Sequence, residues 1–365
     1  MPQIKLRKVS KSYDGVRALD ELSLSIEDGE YLCLLGPTGA GKTTTLYTIA
    51  GIRNPDRGEV LFDNEVVTHF LPEHRRVGFV WESHNLFPHM TVLENTIYGR
   101  RVKGQDLDEA RDVAQGILDM VLLRGRDSAK PPELSGGMRQ RLGIARALAA
   151  EPQILLMDEP YGALDAKIRM ELRTEVHNLV KELGLTCIHA THDTEEALMV
   201  ADRVAVMESG KCTQLGSPES IYRNPQNLFV AQFVSEANTL NATVDSIEGN
   251  LANCILAGVL VKAKGFGVSK GDEAVLVIKS ENLNLHRIEQ DAGKGLIGII
   301  ERIKFVGEFY RFNVSLSDGQ TMICRALPGK TPRFAPKDSV MIEFRPEDGF
   351  IFQLPEEASI ASSKK

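Results

Sequence analysis

The nonapeptide Gly36-Pro37-Thr38-Gly39-Ala40-Gly41-Lys42-Thr43-Thr44 follows directly on the apolar run Tyr31–Leu35 and opens a helical pattern. In that order of strand, glycine-rich loop and helix, successive backbone N–H groups converge on phosphate near the positive end of the helix. Lys42 would reach the β- and γ-phosphates of a nucleotide, and the Thr43 hydroxyl would ligate Mg²⁺. A nucleotide site on an α/β sheet is the first expectation.

Working outward, further short apolar runs, Val77–Trp81, Ile154–Met157, Cys187–Ala190 and Arg203–Met207, alternate with helical patterns and suit buried strands of such a sheet. The run at Ile154 ends in two carboxylates, Asp158 and Glu159, followed by Pro160. Beside a phosphate loop, Asp158 suits the shell of the metal and Glu159 suits polarising an attacking water. The segment Lys167–Leu183 places Ile168, Leu172, Val176, Leu179, Val180 and Leu183 on one helical stripe. Arg169, Arg173, Glu175 and Lys181 are expected on its solvated face.

At 365 residues the chain is long enough for two cores. A net charge of -7, from 43 basic and 50 acidic side chains, offers no general attraction to phosphate backbones or anionic lipid. The five cysteines show no CxxC pair and no metal-ligand spacing, so they read as reduced thiols. Met1 to Lys11 lacks the apolar core of a signal peptide, and no run of roughly 18 apolar residues suits a spanning helix. A membrane, if involved, would be crossed by another subunit.

Between the glycine loop and the acidic strand stands Leu134-Ser135-Gly136-Gly137-Met138-Arg139-Gln140-Arg141, a turn opening the apolar-striped helix Arg141–Ala149. The Ser-Gly-Gly turn can bind an anion through exposed N–H groups. The series of phosphate loop, this turn, acidic strand and then His192 resembles the ATP-binding cassette ATPases from Ile4 to about Val234. The fold this implies is an α/β cassette of the phosphate-loop NTPase type with a helical subdomain at about 84–152. The resemblance also implies a head-to-tail dimer, of identical or closely related chains, in which Ser135, Gly136, Gly137 and Met138 complete the ATP site of the opposite subunit. It assigns Tyr13 to adenine stacking, Asp165 of Ala163-Leu164-Asp165 to the link between the two sites, and His192 to sensing the γ-phosphate. It makes Glu159, His192 and Lys42 catalytic, gives Thr43, Glu82 and Asp158 to Mg²⁺, and leaves Gly36 to Thr44 cradling ATP. The other histidines, including His69, His74, His84, His89 and His177, form no such constellation.

The stretch Val77 to Val92 looks like the loop that senses Mg²⁺ and then meets the membrane subunit, with Glu82 where the family usually has glutamine. Trp81 reads as a packing residue. Met138 also departs mildly, standing where glutamine is common.

From about Glu236 the texture changes to short alternating segments, Ala274–Ile278, Gly298–Ile303, Arg311–Leu316 and Ser339–Phe344, separated by turn residues. The domains expected are 1–236 for the cassette, 237–353 for an all-β OB-like unit and 354–365 for a frayed tail. Residues 237–353 resemble the accessory β (TOBE-like) domain on ATPases of the maltose, polyamine and ferric-iron importers. Ile278-Lys279-Ser280-Glu281-Asn282 and Phe344-Arg345-Pro346-Glu347-Asp348 resemble each other and hint at a duplicated barrel.

The function implied is the ATP-hydrolysing subunit of an importer, peripheral on the cytoplasmic face of the inner membrane. Its partners would be transmembrane permease subunits and, indirectly, an extracytoplasmic solute-binding protein, with sugar, polyalcohol, polyamine or iron-type solutes open. One alternative is a weakly active regulatory ATPase, suggested by Glu82 and Met138. Another is a soluble cassette protein acting on nucleic acid through the β unit. Residues 237–353 hold 14 Lys or Arg against 14 Asp or Glu, which gives no basic excess for that role.

Overall fold

A computed structural model describes residues 2–83, 85–162, 165–288, 295–329 and 333–354. The readings on His84, Ala163, Leu164 and the tail after 354 lie outside these. The chain divides into two units, one running to Ile221 and the other beginning at Tyr222.

The first unit begins with the antiparallel strands β1 (Ile4–Tyr13) and β2 (Val16–Ile26), followed by β3 (Tyr31–Leu35), α1 (Lys42–Ala50), β4 (Arg57–Phe62), β5 (Glu65–Val66) and β6 (Val77–Val80). Three helices come next, α2 (Val92–Val102), α3 (Leu107–Met120) and α4 (Gly136–Ala149). The chain then alternates through β7 (Ile154–Asp158), α5 (Ala166–Glu182), β8 (Thr186–Thr191), α6 (Thr194–Val200), β9 (Arg203–Glu208), β10 (Lys211–Gly216) and α7 (Pro218–Arg223).

Two sheets result. One is antiparallel in the order β2-β1-β4-β5; the other runs β10-β9-β3-β8-β7-β6 and is parallel except for β10. All residues of β3, β7 and β8 are buried, which is why their sequences are continuous apolar runs rather than alternating ones. Leu46 and Ile49 of α1 pack with Leu32, Leu34, Ile154, Leu156 and Ile188 in the core.

Helix α1, with three threonines in a row, has little intrinsic preference for its state. It is held at both ends. Gly41 at φ 100 forms its N-cap, and Gly51 at φ 76 its C-cap. Buried Arg75 donates to Thr48 O and Ile49 O at 2.8 Å each, and also to Thr68 O and Phe70 O, so a cation sits at the negative end of the helix. Burial pushes the pKa of Arg75 down to about 10.

Two sequence expectations are corrected: Leu183, placed on the apolar stripe of α5, is 48% exposed at its C-terminal end. Arg173 on α5 is 4% exposed rather than solvated, because α6 brings Asp193 and Glu196 to 3.6 and 3.9 Å from its guanidinium.

The second unit holds α8 (Leu228–Phe233), β11 (Ala237–Glu248), β12 (Leu251–Leu256), β13 (Val259–Phe266), β14 (Glu273–Lys279), β15 (Asn284–Arg287), β16 (Leu296–Phe305), β17 (Tyr310–Leu316), β18 (Thr321–Ala326), β19 (Ser339–Glu343) and β20 (Gly349–Gln353). A closed barrel, β11-β12-β13-β20-β14, shares one core with a five-stranded sheet, β15-β19-β16-β17-β18. The two similar pentapeptides fall at the two passages between these layers. A 3₁₀ turn at Ser280–Asn282 leads from β14 out to β15, and another at Pro346–Asp348 leads from β19 back to β20.

Candidate active site

Three neighbouring parallel strands bring the candidate residues together at their carboxyl ends, where ligands of open α/β sheets bind. Strand β3 leads into the glycine loop, β7 ends at Asp158 with Glu159 next, and β8 ends at Thr191 with His192 next. The central strand β8 lies between the other two.

The loop is sterically committed to glycine. A Cβ on Gly36 would come 2.3 Å from Met207 O, and at Gly41 it would come 2.5 Å from Ala18 O. Lys42 is buried and turned inward, donating to Gly36 O at 2.7 Å and Pro37 O at 3.0 Å, with Glu159 Oε1 at 4.0 Å. Burial lowers its pKa, while Glu159 and Asp158 act in the opposite direction.

The Thr43 hydroxyl donates to Asp158 Oδ1 at 3.1 Å. Burial raises the Asp158 pKa, and the charges of Glu159 and Glu82 raise it further against the Thr43 bond and Lys42. This is an oxygen-only donor pair with a local surplus of negative charge, which fits a hard divalent cation. Among the described residues no cluster of three or more His, Cys, Asp or Glu side chains could hold a metal. A cation at Thr43 and Asp158 would take further oxygens from substrate phosphate or water.

Glu159 follows the last strand residue with φ 46, a left-handed conformation that a side chain tolerates at a cost of about 1–3 kcal/mol. Its N–H donates to Ala190 O at 3.0 Å, which pins the turn to β8. The carboxylate oxygens then lie 2.8 and 2.9 Å from His192 Nδ1. Nucleophile-orienting and sensing candidates therefore meet directly.

Val16, Arg17, Ala18, Thr38, Gly39, Gly41 to Thr44, Glu82, Glu159, Gly162 and His192 line one cavity of about 730 Å³. Glu82, expected near the metal, is part of this lining. Tyr13 is half exposed and pairs with Val16 across the β1–β2 turn, next to the lining rather than in it. Trp81 packs against Phe79 with ring centroids 4.2 Å apart and planes tilted by 34°.

Ser135 caps α4 by accepting Met138 N–H at 3.3 Å, and Ser135 to Met138 are not part of the described lining. Asp165 is exposed at the start of α5, also outside it. Just ahead of α2, Phe87, Met90 and Thr91 are tied to buried Asn95, which accepts Phe87 N–H and donates to Phe87 O, Met90 O and Thr91 O. Sequence reading passed over Asn95, Arg75, His189 and Glu196; the Thr91-x-x-Glu94 capping box is the one local signal that could have flagged this loop.

Residues 19–162 match the ABC transporter family model, and residues 276–352 match the TOBE domain model. The chain is 38% identical over 347 residues to the spermidine/putrescine import ATP-binding protein PotA of Nitratidesulfovibrio vulgaris, spanning 94% of this chain and 92% of that one. It is 39% identical over 324 residues to PotA of Vibrio cholerae, spanning 88% and 86%. Among solved structures, the dimeric bacterial ABC transporter cassette MJ0796 aligns at 35% identity and TM-score 0.56, over 59% of this chain and 98% of that one. The same cassette in a post-hydrolysis dimer bound to ADP and Pi aligns at 34% identity and TM-score 0.55, over 59% of this chain and 98% of that one.

Proposed function

Because the chain belongs to the ATPase subunits of ABC transporters, in the importer branch that carries a TOBE domain, we propose that it powers polyamine import through partner permease subunits. The observation that carries the ATPase reading is the meeting of Lys42, Thr43, Asp158, Glu159 and His192 at the ends of three adjacent strands. The polyamine reading rests on relatives that match almost the whole chain under the name of spermidine/putrescine importers.

In this reading Lys42 exchanges its two loop carbonyls for the β- and γ-phosphates, a stronger charge-assisted pairing. Thr43 and Asp158, with Glu82 nearby, would hold Mg²⁺, which would neutralise charge on the phosphate oxygens. Glu159 orients the attacking water and His192 holds that carboxylate while registering the γ-phosphate. Tyr13 receives the adenine beside Val16. Ser135 to Met138, standing outside their own chain's cavity, serve the nucleotide of a second copy, and Asp165 links the two sites. The chain works peripherally on the cytoplasmic face, the Glu82–Thr91 segment meets the permease, and an extracytoplasmic binding protein delivers the solute.

The test is reconstitution of the chain with its co-purifying permease subunits in liposomes. ATPase activity should rise with spermidine or putrescine and their binding protein. Stimulation by a sugar or a ferric chelate in place of either polyamine would overturn the substrate assignment.

A further inference from the structure

Behind the cavity, a set of buried polar groups surrounds the backbone of His192 without lining the nucleotide site. Glu196 on α6 is 5% exposed, and its Oε2 accepts the Thr191 hydroxyl at 3.0 Å. The same hydroxyl oxygen accepts the Asp193 N–H at 3.0 Å. Asp193 in turn accepts the Glu196 N–H at 3.1 Å and caps α6. Both neighbours of His192 are therefore tied to one carboxylate residue.

That carboxylate is itself anchored. His189, fully buried in β8, brings Nε2 to 2.9 Å from Glu196 Oε1, a close approach without hydrogen-bond alignment, while its Nδ1 faces the Tyr31 hydroxyl at 3.2 Å. Arg173 of α5 approaches Glu196 at 3.9 Å and Asp193 at 3.6 Å. Burial opposes ionisation of Glu196, yet His189, Arg173 and the Thr191 hydroxyl hold its carboxyl below the usual range. An ionised carboxylate so deeply buried is tolerated only with such partners.

The His192 side chain is 64% exposed, so packing does little to fix its ring. Apart from the Glu159 carboxylate that its Nδ1 meets, what directs it is the backbone that carries it. We propose that Glu196 is a positioning residue for His192, holding Thr191 and Asp193 so that the imidazole meets the Glu159 carboxylate. This rests on the reading of His192 given above.

The experiment is a kinetic double-mutant cycle on the purified full-length chain, with Glu196→Gln and Thr191→Val each made alone and with His192→Ala. Gln keeps an acceptor for Thr191 but loses the charge anchored by Arg173 and His189; Val keeps the shape and loses the hydroxyl. Each single variant should lower kcat about tenfold and leave KM for ATP within about twofold, whereas in the His192→Ala background the further loss should stay under about twofold. A purely structural role would lower both backgrounds by the same factor, and that result would overturn the positioning role while leaving His192 in place. A His192→Ala chain with wild-type turnover would instead remove the reading of His192, and the proposal with it. If Glu196→Gln does not fold, the Thr191→Val arm carries the same two outcomes.

Discussion

Replacing Glu159 by Gln separates chemistry from binding, and the structure sets the scale of each. As a general base Glu159 is worth about 10²–10⁴ in rate, or about 3–5 kcal/mol of barrier. Its carboxylate also lies 4.0 Å from Lys42 Nζ, an attraction of roughly 4 kcal/mol at an effective dielectric of 20. That attraction competes with an incoming γ-phosphate for the same ammonium. Lys42 keeps its bonds to Gly36 O and Pro37 O in the variant, so the loop stays in place. Glu159→Gln should therefore bind ATP as tightly as the parent or more so, turn over about 10²–10⁴-fold more slowly, and accumulate as an ATP-bound dimer. Single-turnover hydrolysis, calorimetric ATP binding and size-exclusion chromatography with ATP read the three quantities. Turnover within about tenfold of the parent, or a loss of ATP affinity, would refute the division of labour between Glu159 and Lys42.

Three other substitutions test the surroundings. Glu82→Gln should retain hydrolysis but need several-fold more Mg²⁺ for half-maximal rate; superimposable Mg²⁺ titrations would remove Glu82 from metal sensing. Arg75→Ala strips a buried cation from four backbone carbonyls and should cost about 3 kcal/mol in urea unfolding, a loss under about 1 kcal/mol being inconsistent with its role at α1. Asp158, raised above its ordinary value of 3.8 mainly by burial, binds a proton more tightly folded than unfolded, so the nucleotide-free chain should lose stability as pH rises from about 4 through the folded value. Asp158→Asn should flatten that slope and unfold at higher urea at pH 7 while losing ATPase activity; a less stable variant at pH 7 would contradict the argument.

The parts of the fold readable in sequence were those where one physical demand acts alone. Strands β3, β7 and β8 are buried on both faces, so each is a plain apolar run, and the glycine loop after β3 tolerates no Cβ at Gly36 or Gly41. The antiparallel strands β1 and β2 were not legible as a pair, since register shifts after Leu6, Val9 and Lys11 break the period of two. Arg173 looked like a surface residue because its partners Asp193 and Glu196 lie twenty and more residues away, on another helix. His189 sat inside an apolar run with no local sign of the carboxylate that meets it.

The closing strand of the β barrel has a consequence for how the chain is made. Strand β20 pairs in parallel with β13 and antiparallel with β14, so both of those strands keep a bare edge until Gly349–Gln353 is in place. Translation proceeds from the amino terminus at roughly 5–20 residues per second. The phosphate-loop unit, complete by Ile221, can fold while the rest is still being synthesised. The barrel must wait for about 70 further residues after β14 has emerged, during which its open edges are exposed to pairing with other nascent chains.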